Sequence, residues 1–237
     1  MGHSSRVVEV VNVKIVFMGT PKLAAGVLKA LYEAGHEISA VVTQPDKPKG
    51  RSRALQMSPV KEYALQKGIE VFQPVRIRKP EAVEKLKEFD AEVFVVAAFG
   101  QILSQELLDI PRLGTVNVHA SLLPKYRGSA PINWCIINGE TETGVTTMLT
   151  DKGMDTGDML LSARTPIGPD ETAGELTQRL SVLGAQLLLQ TLQQLEAGVC
   201  PRTPQNPDEA SYYPLLKKET GLIDWTKPAR AIFNLVR

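Results

Sequence analysis

In TVNVHA (115–120) an asparagine and a histidine, Asn117 and His119, stand two residues apart. A strand alternates its side chains, so these two point one way while Val116, Val118 and Ala120 point the other. A polar face of this kind either meets water at a sheet edge or does chemistry. The stretch that follows, SLLPKYRGSAP, holds two prolines and a glycine and leaves the strand abruptly. It delivers Ser129, read as the N-cap of a helix over APINWCII. Polar side chains at a strand's carboxyl end, beside such a loop, sit where open α/β sheets bind ligands. The third candidate is Asp155, in DKGMDTGD between two expected strands; an Asp near Gly is also ordinary turn chemistry. Together the three suit acyl transfer. A carboxamide donates to an oxyanion, an imidazole carries a proton, and a carboxylate holds the imidazole's orientation and charge. No G-x-S-x-G nucleophile elbow is present, so the acyl group is expected to pass directly from a donor to an acceptor amine.

The elements that must position these residues alternate strand and helix, which predicts an α/β fold: an open, mostly parallel sheet with helices on both faces. VKIVFM is the first strand, and KLAAGVLKALYEAG the first helix, with Thr20 as N-cap, Pro21 at the first helical position and Gly35 as stop. EISAVVT follows as a strand, then a long polar loop. SPVKEYALQKG is a helix, EVFQP a strand and PEAVEKLKEF a helix, while AEVFVVAAF is apolar enough for a central strand buried on both faces. SQELLDI is a short helix, and GVTTMLT and GDMLLSARTPI are two strands joined by DKGMDT. In the long helix that begins at TAGELTQRL, leucines 176, 180, 183, 187 and 188 fall on one face. His36, at the end of the first helix, is read as capping its last carbonyls. The turn MGTPKLA is not G-x-G-x-x-G and no phosphate-binding lysine loop occurs, so neither NAD nor ATP is expected.

The chain has 237 residues, 43% hydrophobic and 22% charged, with net charge +1. These values fit a soluble globular protein and argue against a nucleic-acid binder that uses its whole surface. No apolar run spans a bilayer and the start lacks a signal-peptide core, so a cytoplasmic protein without membrane partners is expected, and a monomer. Two cysteines, Cys135 and Cys200, are read as plain thiols, and no metal site is expected. One local basic patch, QPDKPKGRSRAL, concentrates Lys47, Lys49, Arg51 and Arg53 after the second strand. A charged loop is ordinarily just solvated, but at a ligand crevice it would contact phosphates and steer RNA. Residues 1–12 read as a leader, with no role for His3, and 13–198 as the catalytic domain. Residues 199–217, with four prolines in CPRTPQNPDEASYYP and no periodicity, read as a linker, and 218–237 as the opening of a second domain.

FMGTP, VTQPDKPKGR, VFQP, AAFGQIL, NVHASLLPKYRGSAPI and DKGMDTGDML, in that order, resemble the methionyl-tRNA formyltransferase family of folate-dependent formyltransferases. The resemblance runs from about Val13 to the chain end. It implies the Rossmann-like formyltransferase fold, 10-formyltetrahydrofolate as donor, and the α-amino group of initiator methionyl-tRNA as acceptor. It places the family's catalytic asparagine, histidine and aspartate on Asn117, His119 and Asp155. The reduced-folate site falls on Ser121, Leu122, Leu123 and Pro124, with the backbone of Phe99, Gly100, Gln101, Ile102 and Leu103 facing the pterin. tRNA contact is placed on Lys47, Lys49, Arg51 and Arg53. Two departures stand out: Leu23 where the family usually has Phe, and a family continuation into a β-barrel tRNA domain past Arg237, so that a shortened form is expected. The same triad would serve formylation of an amino-sugar or glycinamide nucleotide, or survive in a silent folate- or RNA-binding module. The basic loop argues against the first, and the intact triad against the second.

Overall fold

A computed structural model describes residues 12–49 and 54–237. The expected leader, except Asn12, and Arg51 and Arg53 of the basic patch lie outside these residues. In chain order the elements are β1 (Lys14–Gly19), α1 (Lys22–Glu33), β2 (Glu37–Val42), β3 (Lys47–Lys49), β4 (Ala54–Gln56), α2 (Pro59–Gln66) and β5 (Val71–Phe72). Then come α3 (Pro80–Glu88), β6 (Val93–Ala97), α4 (Gln105–Leu108), β7 (Thr115–His119), β8 (Arg127–Gly128) and α5 (Pro131–Ile137). The chain continues through β9 (Glu142–Leu149), β10 (Met159–Pro166), α6 (Ala173–Glu196), β11 (Tyr212–Tyr213) and α7 (Ala229–Val236).

Seven strands form one sheet in the order β10-β9-β7-β6-β1-β2-β5. The pairs β6–β7, β1–β6, β1–β2 and β2–β5 are parallel, while β7–β9 and β9–β10 are antiparallel. The expected mostly parallel, doubly wound sheet is therefore present. Alternation divides the apolar side chains between two cores. Ile15, Phe17, Val93, Val95, Val116 and Val118 join α1, α5 and α6 on one face, and Val16, Met18, Ala40, Val42 and Phe94 join α3 and α4 on the other. β6, fourth in the sheet, is buried on both faces, which is why its sequence reads as an unbroken apolar run. Strand order reverses between β1 and β6, and a crevice beyond the carboxyl ends of two such strands is the usual ligand position in open α/β sheets.

Several local readings are corrected. α1 starts one residue later than expected, with Pro21 before it and no side-chain cap. Thr20 instead donates its hydroxyl to the Phe99 carbonyl, 3.4 Å away, because the turn after β1 abuts the loop after β6. Ser129 does not cap α5: the preceding residue is Ala130, and the Ser129 N–H is drawn to the Tyr213 carbonyl at 3.3 Å. His36 does not cap α1 with its ring, which is buried and accepts the Val13 N–H at Nδ1, 3.3 Å. The long loop after β2 holds the β3–β4 hairpin.

Residues 199–217 do not run free of the sheet. Thr203 and Met159 exchange backbone hydrogen bonds of 2.9 Å, β11 pairs in parallel with β8, and Tyr213 stacks on Tyr126 at 4.8 Å. α7 lies against α5, and the Arg237 guanidinium donates to the carbonyls of Gly168 and Glu171.

Candidate active site

β7 lies inside the sheet between β6 and β9, so its polar face is not an edge meeting water. Asn117 and His119 project together from its last turn of pleat, opposite Met148 and Thr146 of β9. Asp155 reaches them from the β9–β10 connection, in a left-handed backbone conformation (φ 55°) that Asp and Asn tolerate better than most residues. Its Oδ1 accepts the Asn117 side-chain N–H at 3.3 Å and lies 3.7 Å from His119 Nδ1. Its Oδ2 accepts the Gly128 N–H at 2.8 Å. The structure thus gathers all three candidate residues around one carboxylate.

The histidine is oriented by a second contact. His119 Nε2 lies 2.9 Å from the Tyr126 carbonyl, which can only accept, so Nε2 carries a hydrogen and Nδ1 is left to face Asp155. Tyr126 offers that carbonyl from a left-handed conformation (φ 59°). Its own hydroxyl donates to Glu140 at 2.6 Å, and burial, with that hydrogen bond second, pushes the phenol far above its ordinary value. Tyr126 is therefore a buried neutral prop. At Gly128 (φ 108°) an added Cβ would collide with the Tyr213 carbonyl oxygen, so the close approach of β8 to β11 depends on glycine there.

The segments assigned to folate flank this triad at the carboxyl ends of β6 and β7. Ser121 and Pro124 are buried, and the Ser121 hydroxyl donates to the Lys125 carbonyl at 2.8 Å, which tightens the loop. Leu123 is buried, its N–H donating to the Thr146 hydroxyl, and Leu122 is half-buried. Phe99 turns its ring into the core, while its carbonyl accepts from Gln44 Nε2 at 3.1 Å. Gln101 uses its carboxamide to bridge Ile77 N–H and the Pro74 carbonyl. Leu103 is buried, whereas Gly100 and Ile102 are exposed at the rim. Lys47 and Lys49 stand on β3; the hairpin is rooted by Asp46, which accepts from Lys61 Nζ at 2.6 Å and Gln73 Nε2 at 2.9 Å. Those two bonds, Lys61 first, hold the Asp46 carboxyl below its ordinary value. Both cysteines are free, and burial pushes the Cys135 thiol up to about 11. Among the described residues no group of three His, Cys, Asp or Glu side chains gathers as metal ligands do, and no helix is long and apolar enough to cross a membrane.

Residues 13–192 match the Formyl transferase family. A methionyl-tRNA formyltransferase of Agathobacter rectalis is 55% identical over 224 residues, covering 94% of this chain and 72% of that protein. The chain belongs to the methionyl-tRNA formyltransferase family. A second member, from Pelobacter propionicus, is 58% identical over 223 residues, 94% of this chain and 70% of its own. Among solved structures, an N-formyltransferase from Helicobacter canadensis, in complex with folinic acid and dTDP-3-aminofucose, superposes with a TM-score of 0.72. It is 25% identical and covers 95% of this chain and 80% of its own. As a member of the methionyl-tRNA formyltransferase family, the chain is a formyl-transferring enzyme with the fold of that group.

Three residues that sequence reasoning passed over complete the site: Tyr126, Arg127 and Gln205. Arg127, buried, donates through Nε and Nη2 to Gln205 Oε1 at 3.0 and 2.7 Å, and through Nη1 to the Tyr212 hydroxyl at 2.7 Å. Gln205 in turn donates to the carbonyls of Asp155 and Gly157 at 2.9 and 2.8 Å. The signal available for Arg127 was its place in KYRGS, a loop leaving the candidate strand; for Gln205 there was none.

Proposed function

We propose that the chain transfers the formyl group of 10-formyltetrahydrofolate to the α-amino group of initiator methionyl-tRNA, with Asn117, His119 and Asp155 as the groups that act on it. The observation that carries this reading is the shared Asp155 carboxylate, within 3.3 Å of the Asn117 amide and 3.7 Å of the His119 ring. The second N–H of Asn117 has no partner among the described residues, which leaves a donor for the formyl oxygen as charge gathers there. His119 Nδ1 is the nitrogen able to take and give a proton, since Nε2–H is committed to Tyr126. Asp155, 3.7 Å from Nδ1, keeps the ring turned toward the reacting atoms. One proton leaves the attacking amine, one reaches the departing folate nitrogen, and His119 lies within reach of the same carboxylate throughout.

The donor is supported by the folinic acid bound in the Helicobacter canadensis relative and by Gly100, Ile102 and Leu122, which lie exposed or half-buried in the loops leaving β6 and β7. The acceptor is supported by the 55% and 58% identical methionyl-tRNA formyltransferases and by Lys47 and Lys49 on the hairpin after β2. The test is an acceptor panel with 10-formyltetrahydrofolate, comparing methionyl-tRNA, a sugar amine and water. Methionyl-tRNA should be formylated, and Asn117→Ala should lower kcat/KM by about 100- to 1,000-fold, as removal of one oxyanion donor does elsewhere. His119→Ala should cost about 100- to 10,000-fold, the range for a general acid–base group. Formylation of the sugar amine alone, or wild-type rates in both variants, would reject the reading.

A further inference from the structure

The part of the chain without periodicity makes several of its polar contacts on the two loops that carry the site. Thr203 pairs with Met159, just past the Asp155 turn. Ser211 accepts the Arg127 N–H at its carbonyl (2.8 Å) and the Tyr126 N–H at its hydroxyl (2.9 Å). Between these anchors sits Gln205. A carboxamide has two N–H hydrogens and an oxygen with two lone pairs. Gln205 uses all four: Nε2 donates to the Asp155 and Gly157 carbonyls, and Oε1 accepts both Nε and Nη2 of Arg127. We propose that Gln205 is a positioning residue for the Asp155 carboxylate, an inference that rests on the role given to Asp155 above.

The chemistry of its neighbours argues for this beyond simple packing. Arg127 is 4% exposed, and among the described residues it makes no ion pair with a carboxylate. A buried cation is best served by a carboxylate. A glutamate at 205 would supply one in nearly the same volume, but it would set an anion against two carbonyl oxygens and lose both donors. The neutral amide answers Arg127 and the Asp155 turn at once. That turn needs an external hold, because a left-handed backbone at a residue other than glycine persists only where its surroundings impose it. The Gln205 donors hold the backbone carbonyls of Asp155 and Gly157, whereas the carboxylate itself is held by the Gly128 N–H and the Asn117 amide, so without Gln205 the turn would be tied only through its side chain. Relaxation of the turn would move Oδ1 away from Asn117 and His119.

The test uses Gln205→Met, of similar length and without hydrogen bonds, and Gln205→Glu, which keeps the acceptor for Arg127 and loses both donors. Folding is checked by circular dichroism and thermal denaturation. In either variant that folds, kcat with methionyl-tRNA should fall about 10- to 100-fold, the cost of a reacting group misplaced by about 1 Å, while KM for the folate donor stays within about twofold. Exchange of the Gly128 amide hydrogen should quicken by about tenfold, a readout of the Asp155 contact independent of activity. In an Asp155→Asn background the loss of kcat should shrink to less than about threefold, since the group being positioned is gone. Unchanged kcat, unchanged Gly128 exchange, or an undiminished loss in the Asp155→Asn background would overturn the inference and leave the reading of Asp155 standing. Full activity of Asp155→Asn alone would overturn the reading of Asp155, and the inference with it.

Discussion

In the proposed reaction the backbone and side chain of Asp155 have separable duties: the left-handed turn places the carboxylate, and the carboxylate acts. Asp155→Asn keeps an acceptor for the Gly128 N–H and a residue type that tolerates φ 55°, so stability should stay within about 1 kcal/mol while kcat collapses. Asp155→Ala should lose activity and also cost about 1–2 kcal/mol, because its Cβ gains no local hydrogen bond in that conformation. Denaturant unfolding beside single-turnover rates separates the two effects. His36 gives a pH dependence of the opposite kind, structural rather than catalytic. Burial holds its imidazole below the ordinary value, and Nδ1 must stay unprotonated to accept the Val13 N–H. The unfolded chain therefore gains a proton that the folded chain resists, so the His36 contribution is complete above about pH 6.5 and is lost as pH falls below it. The melting temperature should drop between about pH 7 and pH 5, and drop less steeply in His36→Gln.

At the scale of elements, the hairpin after β2 and the long helix make distinct predictions. Asp46 ties the hairpin root to α2 through Lys61 and to the segment after β5 through Gln73. Replacing Lys47, Lys49, Arg51 and Arg53 by alanine should raise KM for tRNA and flatten its dependence on salt between about 50 and 200 mM, with donor KM unmoved. Asp46→Ala should raise KM for tRNA in the same direction without removing a cation; unchanged tRNA kinetics in both variants would separate the hairpin from RNA. α6 opens with a capping box, Thr172 and Glu175 satisfying each other's backbone N–H. Thr172→Ala should cost about 1 kcal/mol in denaturant unfolding. Most elements were legible in the sequence because their periodicity is set by burial: β6 as an apolar run and α6 by its leucines. The misses share another cause. Thr20, Ser129 and His36 are each bound to a segment remote in sequence, so rules based on near neighbours assigned them local caps they do not form. Asn117 and His119 were legible because polar types are unusual on a strand's carboxyl end, and Asp155, an ordinary turn residue by itself, only through its combination with them and the family resemblance, whereas Gln205 looks like any polar residue in a proline-rich stretch.

For the molecule as a whole, the sheet and the site are held by different means. The sheet is covered by α6, which packs against α1 and β9 and comes close to β7 at Gly184, where a Cβ would stand 2.9 Å from Val118 Cγ1. Gly184→Val should therefore destabilise the fold by about 1–3 kcal/mol, seen as a lowered denaturation midpoint with an unchanged slope. The site, by contrast, is closed by bonds that reach far along the chain: Gln205 to Asp155 spans 50 residues, and Ser211 to Tyr126 spans 85. On the ribosome this separation becomes a delay. All seven strands of the sheet are made by Pro166, but the residue that braces the Asp155 turn is added 50 residues after Asp155 itself, roughly 3 to 10 s later at ordinary elongation rates. A nascent chain can thus own a finished sheet before it owns a working centre, and the enzyme that marks the first residue of other proteins gains its own competence only after its sheet is complete.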